Sequence, residues 1–280
     1  MSSTEDFSPA VTGEGVQWAY STCTGNKKAL LIGINYFGTS AELGGCINDV
    51  LNLRKFITER WGYDNSNIVT LTDDKKVSQL APTKANILAQ LKELVKGAQQ
   101  NDALFLCYSG HGTQIRDKDG NEIDGQDEVI CPVDYKTAGY IDDDVLHEIL
   151  VKDLPMGCRL TVVFDASCCN SGTALDLLYT YGPDGRILNG ANPDDPKKSP
   201  ADVIYLSGCR DDQTSDDTVY DGRATGALSH AFVDTLTKQP EQSYIDMLKN
   251  TRKFLKKNGH TQIPQLSSSH PIDTRLQFII

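Results

Sequence analysis

Apolar runs and amphipathic stretches alternate along this chain. Residues 27–35, KKALLIGIN, form a continuous apolar run entered by charge, which predicts a central strand covered on both faces. In INDVLNLRKFITERWGY, Val50, Leu51, Leu53, Phe56 and Ile57 recur at helical spacing, and the helix is expected to end before Gly62. A short strand is expected over 67–71. Thr83 is placed to cap the next helix, TKANILAQLKELVKGA, whose Ile87, Leu88, Leu91, Leu94 and Val95 make one stripe. DALFLCYSG predicts a second buried strand, 144–152 a short helix, 159–165 a third strand and 203–207 a fourth. Two helical periods follow, ATGALSHAFVDTLTK and SYIDMLKNTRKFLKK. In the tail HTQIPQLSS, Pro264 predicts a final strand near a sheet edge.

This alternation predicts an α/β fold with a mostly parallel sheet and helices on both faces. Residues 27–280 read as one domain, and 1–26 as a segment that Trp18 and Tyr20 pin onto it. The polar stretches 116–139 and 181–201 read as long surface loops.

The chain has 280 residues, and its 27 Lys and Arg against 38 Asp and Glu give a net charge of −11. That balance argues against a nucleic-acid or anionic membrane surface, either of which needs a basic patch. It suits cationic partners, among them Lys- or Arg-bearing chains and divalent metal. No apolar run approaches the ~20 residues of a spanning helix, and the N-terminal MSSTEDFSPAVTGEG lacks a signal-peptide pattern. The 8 cysteines include no C-x-x-C pair, and several lie in apolar strands. A reducing, cytoplasmic compartment is expected, and a structural zinc site is not.

In such folds, chemistry gathers at the carboxyl ends of the strands. The second buried strand ends in Tyr108-Ser109-Gly110-His111-Gly112, where paired glycines permit tight turns and close approach to a histidine. The third ends in Phe164-Asp165-Ala166-Ser167-Cys168-Cys169-Asn170-Ser171-Gly172. A thiol beside an imidazole makes a cysteine nucleophile, since the ring takes the thiol proton and later returns it to the leaving amine. Buried cysteines also serve as plain small hydrophobes. His147, His230, His260 and His270 read as structural or solvent-facing. Between 117 and 144, ten acidic residues stand against two basic ones, a density that either faces water or holds a cation. DKDGNEIDGQDE matches an EF-hand loop only in part, without flanking helices or the full ligand order.

These segments together resemble the catalytic domain of type I metacaspases, cysteine peptidases of the caspase fold. The matching runs include GVQWAYSTCTG, KKALLIGINYFG, LGGCINDVLN, FLCYSGHGTQ, DGQDEVICPVDY, IDDDVLHEIL, NSGTALDLLYTY, YLSGCRDDQTS and ATGALSHAF, in order through the chain. The resemblance implies a caspase-like three-layer αβα sandwich and cleavage of protein or peptide substrates after Arg or Lys by a His111–Cys169 dyad. It implies a pocket for the basic P1 side chain at Cys46, Asp49, Ser109 and Asp165. It also implies activation by Ca2+ held by Asp127, Asp142, Asp143 and Asp176, and action as a monomer with self-cleavage after basic residues. Arg186, Lys197 and Lys198 are candidate cleavage points.

One segment departs from the family. Its usual run F-D-x-C-H-S-G is FDASCCNSG here, so two residues look inserted before Cys169 and Asn170 stands in place of a histidine. Cys168 is therefore an alternative nucleophile. A catalytically impaired, calcium-binding regulatory or scaffolding domain is the alternative function.

Overall fold

The apolar runs lie side by side in the middle of one sheet. The computed structural model describes residues 17–116, 125–166, 174–189, 197–208, 217–220 and 223–280. In chain order, its first half holds β1 (Lys27–Gly33), α1 (Cys46–Trp61), β2 (Ile68–Thr72), α2 (Lys84–Val95), β3 (Ala103–Gly110), β4 (Gly112–Arg116), β5 (Gln126–Ile130), α3 (Tyr135–Ala138), β6 (Ile141–Asp142) and α4 (Asp143–Leu150). The second half holds β7 (Arg159–Ala166), β8 (Tyr179–Tyr181), β9 (Ile187–Asn189), β10 (Asp202–Ser207), β11 (Asp217–Tyr220), β12 (Arg223–Gly226), α5 (Ala227–Lys238), α6 (Tyr244–Lys257) and β13 (Gln265–Ser268).

The main sheet runs β2-β1-β3-β7-β10-β13-β8-β9. Its first five strands are parallel and the last three antiparallel. Side chains alternate across it. Leu30, Ile32, Leu104, Leu106, Leu160 and Val162 pack on one face with Ile87 and Leu91 of α2 and Leu146 and Leu150 of α4. Ala29, Leu31, Phe105, Cys107 and Val163 pack on the other with Val50, Leu53 and Ile57 of α1, Phe232 of α5 and Met247 and Leu248 of α6. A sheet buried on both faces carries continuous apolar strands, and the result is the expected αβα sandwich. Among the described residues, no helix is long and apolar enough to cross a membrane.

Four stretches differ from expectation. The final strand is not at an edge: β13 lies between β10 and β8. Pro264 precedes β13, so it removes no donor from the ladder. The stretch 116–139 is not simply loop, because β5 pairs antiparallel with β4 and β6 in a second sheet, and 181–201 contains β9. The helix expected from 224 begins at Ala227, and the residues before it pair with β11 instead.

A charged cluster closes the end of the sheet where β7 and β10 begin. Asp202 Oδ2 accepts from Arg159 Nη2 at 2.7 Å and from the Ser21 N–H at 2.8 Å, and its Oδ1 lies 3.1 Å from His270 Nε2. Trp18 stacks on His270, with ring centroids 3.8 Å apart, and Tyr20 Oη accepts from the Asp273 N–H. Burial works against the Asp202 charge, but Arg159 and then His270 outweigh it and hold the carboxyl at about 2. Residues 17–21 are thereby tied to both β10 and the C-terminal segment.

Candidate active site

The opposite end of the sheet gathers the candidate site residues. Register sets Gly33 beside Ser109, Ser109 beside Asp165, and Gly110 beside Ala166. Gly33 also lets α1 approach, since a Cβ there would lie 2.5 Å from the Cys46 carbonyl oxygen. The amino end of α1, with Cys46 and Asp49, is thereby held over the ends of β1 and β3.

His111 follows β3 directly. Its Nε2 lies 2.8 Å from the carbonyl oxygen of Ala41. A carbonyl only accepts, so Nε2 carries the hydrogen and Nδ1 of the neutral ring is the nitrogen able to take a proton. The peptide of His111 is held from both sides: its N–H donates to Tyr36 Oη at 3.0 Å, and its carbonyl accepts from Tyr108 Oη at 2.6 Å. Tyr36, with φ +53°, sets its ring 4.8 Å from the imidazole and donates to the Cys131 carbonyl.

Two buried carboxylates converge beside it. Asp49 Oδ2 accepts from Ser109 Oγ at 2.7 Å, while Oδ1 accepts from Thr225 Oγ1 and from the Gly226 N–H at 2.8 Å. Asp165 Oδ2 accepts from the Ser229 N–H at 2.7 Å, in the first turn of α5. Gly226 sits between them: a Cβ there would overlap Asp165 Oδ2 and lie 2.8 Å from Asp49 Oδ2. Burial, then the neighbouring Asp165 charge, raises the Asp49 carboxyl to about 7 against its hydrogen bonds. Cys46 is buried one helical turn before Asp49. The structure therefore unites Asp49, Ser109 and Asp165, and adds Thr225, Gly226 and Ser229, to which the sequence reading gave no role. Cys168 and Cys169 lie outside the described residues.

A second group of acids forms around α4. Asp143, Asp144 and Asp176 each offer an oxygen within 4.8 Å of the others. Asp143 is buried, accepting the Glu128 N–H at 2.9 Å on Oδ2 and the Asp144 N–H at 2.9 Å on Oδ1. Burial raises its carboxyl pKa against those bonds. Asp176 has φ +47°, and the preceding Leu175 carbonyl accepts from His147 Nδ1 at 2.9 Å. Lys197 Nζ stands 2.8 Å from Asp176 Oδ2 and 3.2 Å from Asp144 Oδ1. Burial works against this ammonium, but Asp176 and Asp144 outweigh it and its pKa stands above the ordinary lysine value.

Of the four expected ligands, Asp143 and Asp176 are brought together. Asp142 instead caps α4, its Oδ1 accepting the Val145 N–H at 3.0 Å, and Asp144 joins the cluster. Which of the three consecutive aspartates caps the helix is settled only by where the helix starts. Asp127 is buried on β5, one residue before the Glu128 amide that meets Asp143. Three hard carboxylate oxygens within 4.8 Å of one another, two of their residues already paired with a lysine ammonium, suit a divalent cation of the Ca2+ class.

The comparisons with known proteins agree with this geometry. Residues 27–178 match the family model described as "Metacaspase, peptidase C14 domain". Metacaspase-1 of Cryptococcus neoformans var. neoformans serotype D is 47% identical over 327 aligned positions, covering 99% of this chain and 71% of its own. The chain belongs to the metacaspase family. Metacaspase-1 of Saccharomyces cerevisiae is 46% identical, covering 96% of this chain and 72% of its own, and that of Schizosaccharomyces pombe is 44% identical, covering 96% and 73%. The fold is also that of a Geobacter sulfurreducens protein of known structure, with a TM-score of 0.65 at 22% identity over 91% of this chain and 98% of that one.

For a metacaspase, the histidine-bearing strand end and the acid-lined strand end are neighbours here by sheet register. Ala41, Tyr36 and Tyr108, which hold His111, were not legible in the sequence as site residues. Ala41 acts through a backbone oxygen, for which no side-chain signal exists.

Proposed function

We propose that this metacaspase is a calcium-dependent cysteine endopeptidase that cleaves after Arg or Lys. The observation that carries this reading is the buried pair Asp49 and Asp165, joined through Ser109 to the strand that ends at His111. Paired carboxylates in a desolvated pocket favour a guanidinium or ammonium and repel an acidic P1 side chain.

In the proposed reaction, His111 Nδ1 takes the thiol proton of Cys169 and the sulfur bonds to the scissile carbonyl carbon. Collapse of the tetrahedral intermediate expels the amine, which receives the proton from the imidazolium. Water then adds to the thioester with His111 again as base, releasing the acid and restoring the thiol. Cys168 is the alternative nucleophile. Ca2+ held by Asp143, Asp144 and Asp176 would supply fixed positive charge close to the chain that follows Cys169 by seven residues. The enzyme is proposed to act as a monomer on protein or peptide substrates in a reducing, cytoplasmic setting. None of the five cysteines among the described residues forms a disulfide, and all are buried. Self-cleavage is proposed after basic residues such as the exposed Arg186.

The altered run FDASCCNSG favours a second reading, an impaired homologue that keeps cation binding. Fluorogenic peptides with P1 Arg and P1 Asp, assayed with and without Ca2+, separate the two. The peptidase reading expects Ca2+-dependent turnover of the Arg peptide alone. Turnover of neither peptide, with a Ca2+-induced rise in melting temperature retained, favours the second.

A further inference from the structure

We propose that Lys197 is the resident cation of the Asp144–Asp176 site, a tethered ammonium that a divalent ion must displace in order to bind. The proposal rests on the reading of this cluster as a divalent-cation site. It concerns what regulates that site.

The geometry is that of substitution. Lys197 Nζ lies 2.8 Å from Asp176 Oδ2 and 3.2 Å from Asp144 Oδ1, and both residues supply oxygens to the three-carboxylate group. Ca2+ takes its oxygen ligands at about 2.3–2.6 Å. An ammonium in contact with the same two oxygens therefore occupies the space and satisfies the charge that the ion needs. Two cations cannot share those oxygens without strong repulsion in a partly buried setting. Lys197 is itself mostly covered, with 22% of its side chain exposed. Its release thus transfers a charged side chain from the cluster to water.

The displaced lysine belongs to the chain leading into β10, whereas Asp144 opens α4 and Asp176 follows the nucleophile-bearing segment. The ammonium bridges these parts when no ion is bound. Exchange for a divalent ion keeps α4 joined to Asp176 and frees the chain at Lys197. The ion's apparent affinity is set by competition with a side chain of the same protein. Removing the competitor should tighten binding, and a cationic substitute should not.

The test is calorimetric Ca2+ titration of the full chain as wild type, Lys197→Met and Lys197→Arg. It is paired with isotope-coded acetylation of lysines read by mass spectrometry in the wild type. Lys197→Met should bind Ca2+ at least about tenfold more tightly than wild type, and Lys197→Arg within about threefold of it. Lys197 should acetylate slowly without Ca2+ and faster with it, while exposed Lys75 does not change. Equal or weaker affinity in Lys197→Met, or acetylation of Lys197 that ignores Ca2+, overturns the proposal but leaves the cation site standing. Absence of Ca2+ binding in all three proteins overturns both.

Discussion

Ser109 donates its hydroxyl to Asp49 at 2.7 Å, and this bond joins the strand that presents His111 to the helix that presents the acid. Asp49 is thereby fixed beside Asp165 at the point where Gly226 leaves room for both.

Two buried carboxylates so placed make stability depend on pH. The folded Asp49 carboxyl stands at about 7, raised by burial and by Asp165, whereas in the unfolded chain it titrates near the ordinary aspartate value of 3.8. Between those values the folded state holds a proton that the unfolded state has released, so stability falls as pH rises through this window. Asp49→Asn should flatten that fall. Urea-unfolding midpoints of wild type and Asp49→Asn, compared from about pH 5 to about pH 8, check it. A parallel pH dependence in the two proteins contradicts it.

Gly226→Ala should injure the acid pocket specifically. The added methyl overlaps Asp165 Oδ2 and crowds Asp49, so the carboxylates must separate. The expected outcome is a loss of about 1–3 kcal/mol of stability. The expected fall in kcat/KM on P1 Arg peptides is at least about tenfold, equivalent to about 1.4 kcal/mol. Steady-state kinetics below the melting transition measure the second effect apart from the first.

Breaking the charged cluster at the far end should cost stability. Arg159→Met leaves Asp202 buried without its guanidinium, and the expected loss is about 3–5 kcal/mol. Because Asp202 is held at about 2, below its unfolded value, its contribution is present above about pH 4 and lost as pH falls toward 2. Chemical denaturation near neutral pH and near pH 3 should show the wild-type advantage over Arg159→Met shrinking at the acidic end.

The aspartate triplet at α4 divides into two roles. Asp144→Asn should abolish most of the Ca2+-induced rise in melting temperature. Asp142→Ala should lower the melting temperature with and without Ca2+, through loss of a cap worth about 0.5–2 kcal/mol, yet keep the Ca2+ increment. Differential scanning calorimetry of the two variants distinguishes them.

Much of the scaffold was legible because short continuous apolar runs such as KKALLIGIN and DALFLCYSG, of strand length and closed by glycine or turn residues, suit strands covered on both faces. Thr83 likewise marked its helix, and its Oγ1 accepts the Asn86 N–H as the cap. The polar stretch 116–139 concealed β5 because only its last residues are apolar, Val129 and Ile130, and its ladder is formed with β4 and β6 on a separate small sheet. The placement of β13 between two strands is a long-range fact that the local Pro264 signal did not carry. At the candidate site, the positions of His111 and Asp165 at neighbouring strand ends were legible, because the apolar runs before them mark where the strands stop. Contacts made by backbone atoms, such as the Ala41 carbonyl on His111 and the Gly226 amide on Asp49, leave no trace in residue type.

In the proposed mechanism, a cysteine following β7 reacts under the control of His111 with substrates chosen by the acid pair. A chloromethyl ketone peptide with P1 Arg, incubated with the Ca2+-loaded protein and mapped by mass spectrometry, tests it most directly. One adduct is expected on Cys169, or on Cys168 if that thiol is the nucleophile, and it should be lost in His111→Ala and in Asp165→Asn. An adduct on neither cysteine, or one formed equally well in His111→Ala, contradicts it.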